Sequence, residues 1–376
     1  MTWICLGLVG AAIWLGILLS PWRPWSTRES LNAASAFYRA DLSDITVLIP
    51  ARNEVETIQA TLAALKAQDG DLNIVLIDDR SEDETTKRAR SASLEKLVLI
   101  SGQPLPEGWT GKLWALEQGL HQVNTPLTFL MDADIVLRPG LLATLRERMR
   151  KDNFQFISLM AALQMQGFWE QMLIPAFVYF FKLLYPFRLC NCPASRVAGA
   201  AGGCILLETR VLDEIGGFQA LRGELIDDCA LARRVKSLGY RTWIGLTHSV
   251  HSLRHYPDLK GIWNMVARTA FAQLRYSPLL LGLCTAVMVT AFLVPIGVVI
   301  SPHPVARLVA TVALGAMMLS YLPILRFYQM SGWRALTIPL VGTLYLAMTW
   351  SSAIRYWQGK GSRWKGRVYS RSLHSG

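Results

Sequence analysis

Four long apolar stretches bracket this chain, and no soluble fold hides them easily. Residues 3–20 form the first; the others lie at roughly 278–300, 305–325 and 335–354. Each is long enough to cross the hydrocarbon core of a bilayer, which takes about 17–25 residues of helix. Composition agrees: 52% of residues are hydrophobic and only 17% charged, with a mean hydropathy of +0.29. An average soluble domain carries about 25% charged residues, and disordered chains carry far less apolar side chain than this one. The first stretch reads as a retained anchor. No Lys or Arg precedes it, and Pro21-Trp22-Arg23-Pro24-Trp25 stands where a signal peptide would place small residues for cleavage.

The charge is segregated. After Asp258 there is no Asp or Glu, yet twelve Lys and Arg lie between Lys260 and Arg371; the first 258 residues hold 26 basic and 27 acidic side chains. The net charge of +11 is therefore the mark of a membrane module with positive loops and tail, and gives no reason to expect nucleic acid as a partner. The six cysteines are scattered without a CxxC pair and read as reduced thiols; Cys190-Asn191-Cys192 is too slight a motif to count as a metal site.

Between anchor and bundle lies a segment of ordinary soluble composition that alternates strand and helix. Apolar runs at 45–50, 73–79, 97–101 and 127–134 predict strands. Helical patterns at 53–68 (Asn53 as N-cap), 81–93 (a Ser81/Glu84 capping box) and 112–123 fall between them. This alternation predicts an α/β domain with a mostly parallel sheet, whose ligands sit beyond the carboxyl ends of the strands. No GxGxxG follows any strand, so a dinucleotide fingerprint is absent. Residues 168–189, rich in Phe, Tyr and Leu but broken by Pro175 and Pro186, predict an amphipathic interfacial segment, with a buried core helix as the alternative.

Acidic residues gather where such a sheet binds ligands. Asp78 and Asp79 close the second strand; Asp132 and Asp134 close the fourth and, as alternate residues of an extended strand, are expected to point together. Converging carboxylates suit a divalent metal, Mg²⁺ or Mn²⁺, that completes its shell with water and substrate phosphates. A third group, Glu224, Asp227 and Asp228, opens a helix; either helix capping or a general base fits that position. Lys112 at another helix start is a candidate phosphate contact. His248, His251 and His255 are expected on a strand or loop and not as metal ligands.

Seven motifs then occur in order: VLIPARNE (47–54), DDRSEDET (78–85), GKLWAL (111–116), DAD (132–134), AGAAGGC (198–204), GGF (216–218) and DDCALARRV (227–235). Together they resemble the family-2 inverting glycosyltransferases with a GT-A fold. WTGKLWALEQG, LIPAFVYFF, LYPFR, RTAFAQLRYSP and the WKGR tail are similar, more narrowly, to the hopene-associated glycosyltransferases of hopanoid-producing bacteria. The resemblance implies that Asp78 and Asp79 contact the nucleoside of a nucleotide-sugar donor, with Pro50 and Glu54 in the loop beneath it. Lys112 would face the phosphates, Asp132 and Asp134 would form the metal-binding DxD motif with Asp134 the direct ligand, and Asp228 would be the catalytic base, with Asp227 in place of the usual Glu. Relatives acting on lipids or building polymers often carry QxxRW; here Gln273-Leu274-Arg275-Tyr276 departs from it in spacing and in its last residue. Gln273, Arg275 and Tyr276 remain candidates for the diphosphate or the acceptor.

The expected architecture is thus an anchor (1–22), a cytoplasmic GT-A domain (44–276), a transmembrane bundle (277–354) and a basic tail (355–376), in a bacterial inner membrane. The expected function is transfer of a sugar from a nucleotide diphosphate to a lipid hydroxyl, in hopanoid biosynthesis on the narrower resemblance. The alternatives are a polyprenyl-phosphate or glucan acceptor, or a non-catalytic transporter with a degenerate nucleotide fold. With the catalytic domain cytoplasmic, three full C-terminal crossings would leave the basic tail outside, against the positive-inside rule. One run is then expected to be re-entrant or interfacial, and the polar 335–354 run is the best suspect.

Overall fold

The alternating strands assemble as one sheet. The computed structural model describes residues 2–34, 40–68, 71–360, 362–364 and 367–369. In it the chain divides into two compact units: one contains Glu29–Gln164 and Leu189–His255; the other contains the N-terminal residues to Arg28, Met165–Arg188, and the chain from Tyr256 to Ser362. The first unit holds an eight-stranded sheet: β1 (Ile45–Ala51), β2 (Asn73–Asp78), β3 (Leu97–Ser101), β4 (Leu127–Met131), β5 (Ile135–Leu137), β6 (Phe156–Ala162), β7 (Cys204–Glu208) and β8 (Thr242–Ser252). Their order is β3-β2-β1-β4-β7-β6-β8-β5.

β1 pairs in parallel with β2 and β4, β2 with β3, and β6 with β8, whereas β7 runs antiparallel to β4 and β6, and β5 to β8. The sheet is therefore mixed but mostly parallel, as the alternation predicts. Its side chains feed two cores by the two-residue period of extended chain. Val47, Ile49, Ile74, Leu76, Phe129 and Met131 pack on one face; Leu48, Val75, Ile77 and Leu130 pack on the other.

Helix starts differ from the sequence reading. The first helix runs Ile58–Lys66 with Thr57 at its N-cap; Asn53 sits at φ +52° in the preceding bend. The second runs Thr85–Arg90 without a side-chain cap, because Ser81 is used elsewhere: its hydroxyl accepts the Asn53 N–H at 3.0 Å. The third, Gly111–Leu120, is capped by Thr110, whose hydroxyl accepts the Leu113 N–H.

In the second unit, Thr2–Leu19, Pro278–Val299, Pro304–Phe327 and Gly332–Trp357 are each long and apolar enough to cross a membrane. Leu279, Leu283, Leu308 and Leu340 are exposed on their outer faces. The 335–354 run begins in a 3-10 turn, Gly332–Thr337, and continues as one regular helix, Ile338–Trp357. The irregularity falls instead in the 278–299 helix, which passes through a π turn at Val289–Leu293 just before Pro295. Proline has no N–H to give to the carbonyl four residues back, here that of Ala291. The Trp14 indole N–H donates to that oxygen at 2.7 Å, so the N-terminal helix repairs the defect. Close approach is possible because residue 10 is glycine; a Cβ there would lie 3.0 Å from the Pro295 ring. The Phe168–Leu184 helix joins the same unit. Tyr345 donates to its Leu173 carbonyl at 2.9 Å, and its Tyr179 hydroxyl bonds that of Ser320 at 2.7 Å.

Trp14→Phe removes the donor and strands the Ala291 carbonyl in apolar surroundings. The expected cost is about 0.5–2 kcal/mol, read as a lower thermal midpoint in detergent. Pro295→Ala in the same chain is expected to recover part of the loss, because alanine restores the missing backbone N–H; additive losses in that double mutant would contradict the repair.

Candidate active site

The site is built on two helix starts and the carboxyl end of β4. Lys112 stands in the first turn of Gly111–Leu120; Asp227 and Asp228 occupy the first turn of Asp227–Ser237; Asp132 follows β4 directly. These residues line one crevice with Pro50 and Gly202. The Lys112 ammonium lies 2.8 Å from Asp132 Oδ1 and 3.5 Å from Asp227 Oδ2. Two helix N-termini bring their positive dipole ends to the same space, an arrangement that favours an anion.

Asp228 is held more firmly than its neighbours. Its Oδ2 accepts the Gly202 N–H at 2.8 Å and its Oδ1 accepts the Cys229 N–H at 2.7 Å. Burial, and after it the adjacent Asp227 carboxylate, push its carboxyl up to about 6, with Lys112 and the two N–H groups acting the other way. For Lys112, burial opposes the charge, but Asp132, Asp227 and Asp228 outweigh it and hold the ammonium above the ordinary lysine range. Gly202 is what lets these groups meet: a Cβ at that position would fall 2.9 Å from Lys112 Nζ and 3.4 Å from Asp228 Oδ2.

The remaining acidic candidates fall in two other places. At the ends of β1 and β2, the Asp78 carboxylate accepts the Ser81 N–H at 3.3 Å, and the buried Asp79 bonds through its N–H to Ala51. Arg52 fastens this corner by donating to the Asp79 and Arg80 carbonyls, both at 2.7 Å, while pairing with Glu82. Farther along, Arg254 bridges Glu54 at 3.3 Å and Asp134 at 3.4 Å, and Asp134 also accepts the Ser252 hydroxyl at 2.9 Å.

Asp132 and Asp134 therefore do not share partners. β4 ends at Met131, and the two aspartates lie in the turn leading to β5, where the Ile135 N–H returns to the Asp132 carbonyl. The alternation of an extended strand does not apply there. Asp132, with its side chain 36% exposed, faces the crevice; Asp134 is buried against Arg254 and Ser252. Among the described residues no group of three or more His, Cys, Asp or Glu is placed to hold a metal ion. His251 and His248 lie on β8, the ring of the first against the carbonyl of the second at 2.9 Å. Gln273, Arg275 and Tyr276 belong to the other unit, where the Tyr185 hydroxyl donates to Gln273 and Tyr276 stacks on Tyr356 at 4.5 Å.

Sequence reading misses Arg52, Arg254 and Lys236. The Lys236 ammonium, on the Asp228 helix, donates to the Leu189, Cys190 and Val197 carbonyls at 3.1, 2.6 and 2.8 Å. It ties that helix to the loop that ends in Gly202. Helical spacing alone leaves Lys236 indistinguishable from a solvated surface lysine.

With this geometry in view, comparison with known proteins is decisive on one point. The family described as "Glycosyltransferase like family 2" matches residues 43–272. The chain belongs to that family. Two curated relatives are 4,4'-diaponeurosporenoate glycosyltransferases. That of Staphylococcus haemolyticus (strain JCSC1435) is 31% identical over 93 residues, 25% of this chain and 24% of the relative. That of Staphylococcus aureus (strain USA300) is 32% identical over 103 residues, 27% of each. The chain thus matches about a quarter of these relatives' length. Among solved structures, the mannosyltransferase PcManGT from Pyrobaculum calidifontis, in complex with GDP-Man and Mn²⁺, is similar with a TM-score of 0.56 and 18% identity, over 94% of this chain and 98% of that one. That likeness shows a GT-A-type fold for this chain.

Arg254 is the counter-charge of Asp134 and Glu54 in this fold. Arg254→Met is expected to cost about 1–3 kcal/mol, below the roughly 3–5 kcal/mol typical of breaking a fully buried pair because the arginine is one-third exposed. Chemical denaturation measures it, and Arg254→Met with Asp134→Asn is expected to recover part of the loss.

Proposed function

We propose that this glycosyltransferase inverts configuration at the sugar it transfers from a nucleoside-diphosphate donor to a hydroxyl of a membrane lipid, with Asp228 as the base. One observation carries the reading: Asp228 stands with a raised pKa at a helix start, oriented by two backbone N–H groups, in the crevice where Lys112 is charged. A general base works best with a pKa near the operating pH, and a carboxylate near 6 is ionised at neutral pH yet basic enough to take a proton.

Asp228 takes the proton of the acceptor hydroxyl as that oxygen attacks the anomeric carbon. The bond from that carbon to the diphosphate oxygen breaks on the opposite side, and its electron pair leaves with the nucleoside diphosphate. Lys112 and the N-terminus of its helix meet the charge that develops on the leaving group. Pro50, Asp78 and Asp79, at the ends of β1 and β2, are assigned to the nucleoside, with Glu54 supporting their loop through Arg254.

The residues fit a divalent cation shared with substrate phosphates better than one caged by protein, since Mg²⁺ commonly uses one or two carboxylates. Asp132 would hold it; Asp134, engaged by Arg254 and Ser252, would act from behind. Such an ion supplies counter-charge to the diphosphate. The lipid acceptor is supported by four helices able to span a bilayer and by relatives named for diaponeurosporenoate. A hopanoid hydroxyl, on the narrower sequence resemblance, is the first acceptor to test. The catalytic unit is placed on the cytoplasmic side of the inner membrane, where sugar nucleotides are made.

Asp228→Asn is expected to lower transfer by about 10²–10⁴-fold while binding of the labelled donor stays near the wild-type level. Wild-type turnover by that variant would refute the base assignment. Since Asp228 acts ionised, kcat/KM of the wild type is expected to fall as pH drops through about 6. Lys112→Met removes a cation that favours the ionised form, so its acid limb is expected at higher pH than the wild type's; an unmoved limb would show that Lys112 does not act on the base.

A further inference from the structure

A groove runs along the last apolar helix, beside the short helix Leu259–Ala267. Trp263, Leu346, Trp350 and Ile354 form its apolar wall, and Arg355 and Lys360 stand at one end. The wall is fixed in place: the Trp350 indole N–H donates to the Thr285 hydroxyl at 2.9 Å while the residue stays 38% exposed. The end of the groove is cationic without an answering acid. From residue 259 onward the chain has no Asp or Glu.

The two acidic residues of this unit that lie nearest in sequence are already engaged. Glu170 accepts the Gln166, Gly167 and Tyr256 N–H groups at 2.9, 2.9 and 2.7 Å, and Asp258 caps its own helix through Gly261 at 2.7 Å. Among the described residues neither Arg355 nor Lys360 forms an ion pair. Two cations at the end of an apolar groove, with tryptophans beside them, match a molecule with an anionic head and an acyl tail lying at the headgroup level of a bilayer.

We propose that this groove binds one anionic glycerophospholipid, its phosphate held by Arg355 and Lys360 and one acyl chain laid along Leu346, Trp350 and Ile354 against Trp263. The inference depends on the membrane location of the four helices and not on the chemistry at Asp228, so either can fail alone. Native mass spectrometry of the full chain in detergent, with phosphatidylglycerol and chain-matched phosphatidylcholine added in turn, counts the bound lipid. The expected result is one saturable phosphatidylglycerol adduct, favoured over phosphatidylcholine by roughly ten- to thirtyfold, as two basic side chains near a membrane surface would give.

Arg355→Gln with Lys360→Gln is expected to abolish that preference, and Arg355→Lys with Lys360→Arg to keep it. Ala347→Trp, a change that fills the groove, is expected to remove the adduct without touching either cation. Equal binding of the two lipids, an unchanged preference in the Gln variant, or an adduct that survives Ala347→Trp would each overturn the proposal. Displacement of phosphatidylglycerol by inorganic phosphate alone would overturn the claim that the tail is bound.

Discussion

The site depends on one lysine surrounded by carboxylates. Lys112 meets Asp132 at 2.8 Å and Asp227 at 3.5 Å, and it lies close enough to Asp228 to counter that group's raised pKa. Without this cation three acidic side chains would crowd one half-buried crevice, and mutual repulsion would favour protonating them or pushing them apart. With it, they can remain ionised and close, at a place where two helix dipoles already favour negative charge. The cluster balances its own charge, with the lysine shared between carboxylates on two helix starts and a strand end.

The fold delivers these groups from distant parts of the sequence. Parallel pairing of β1 with β2 and β4 brings the carboxyl ends of all three strands to one edge, and the antiparallel β7 follows directly on the glycine-rich loop that reaches Asp228. Lys236 and Gly202 then set the distance between that loop and the Asp228 helix. The Asp228 carboxylate, bonded through both oxygens, has little orientational freedom left to lose. In the apolar unit the same economy of hydrogen bonds appears, where an indole N–H supplies what Pro295 cannot.

Much of this is legible in the sequence because it rests on local chemistry. Apolar runs mark β1, β2, β3 and β4, apolar length marks the four helices able to cross a bilayer, and Lys112 and Asp228 are recognisable as first-turn residues. What escapes is set by distance or by turn geometry. Arg254 reaches Glu54 across 200 positions of sequence, and nothing near either residue announces the pair. The DAD triplet looks like strand continuing from 127–134, but the chain turns after Met131 and sends Asp132 and Asp134 to different partners. β7 lies outside the four strands read from the sequence, and an apolar run would in any case carry no sign of its direction. The helix caps expected at Asn53 and Ser81 are misplaced because the Ser81 hydroxyl accepts the Asn53 N–H and the Asn53 side chain accepts the Glu82 N–H.

The most direct measurement is the titration of the Asp228 carboxyl itself, by infrared difference spectroscopy of wild-type protein against Asp228→Asn across a pH series. A half-buried carboxyl crowded by Asp227 should lose its protonated C=O band with a midpoint near 6. A midpoint at the ordinary aspartate value of 3.8 would mean that the crevice does not poise this group as a base.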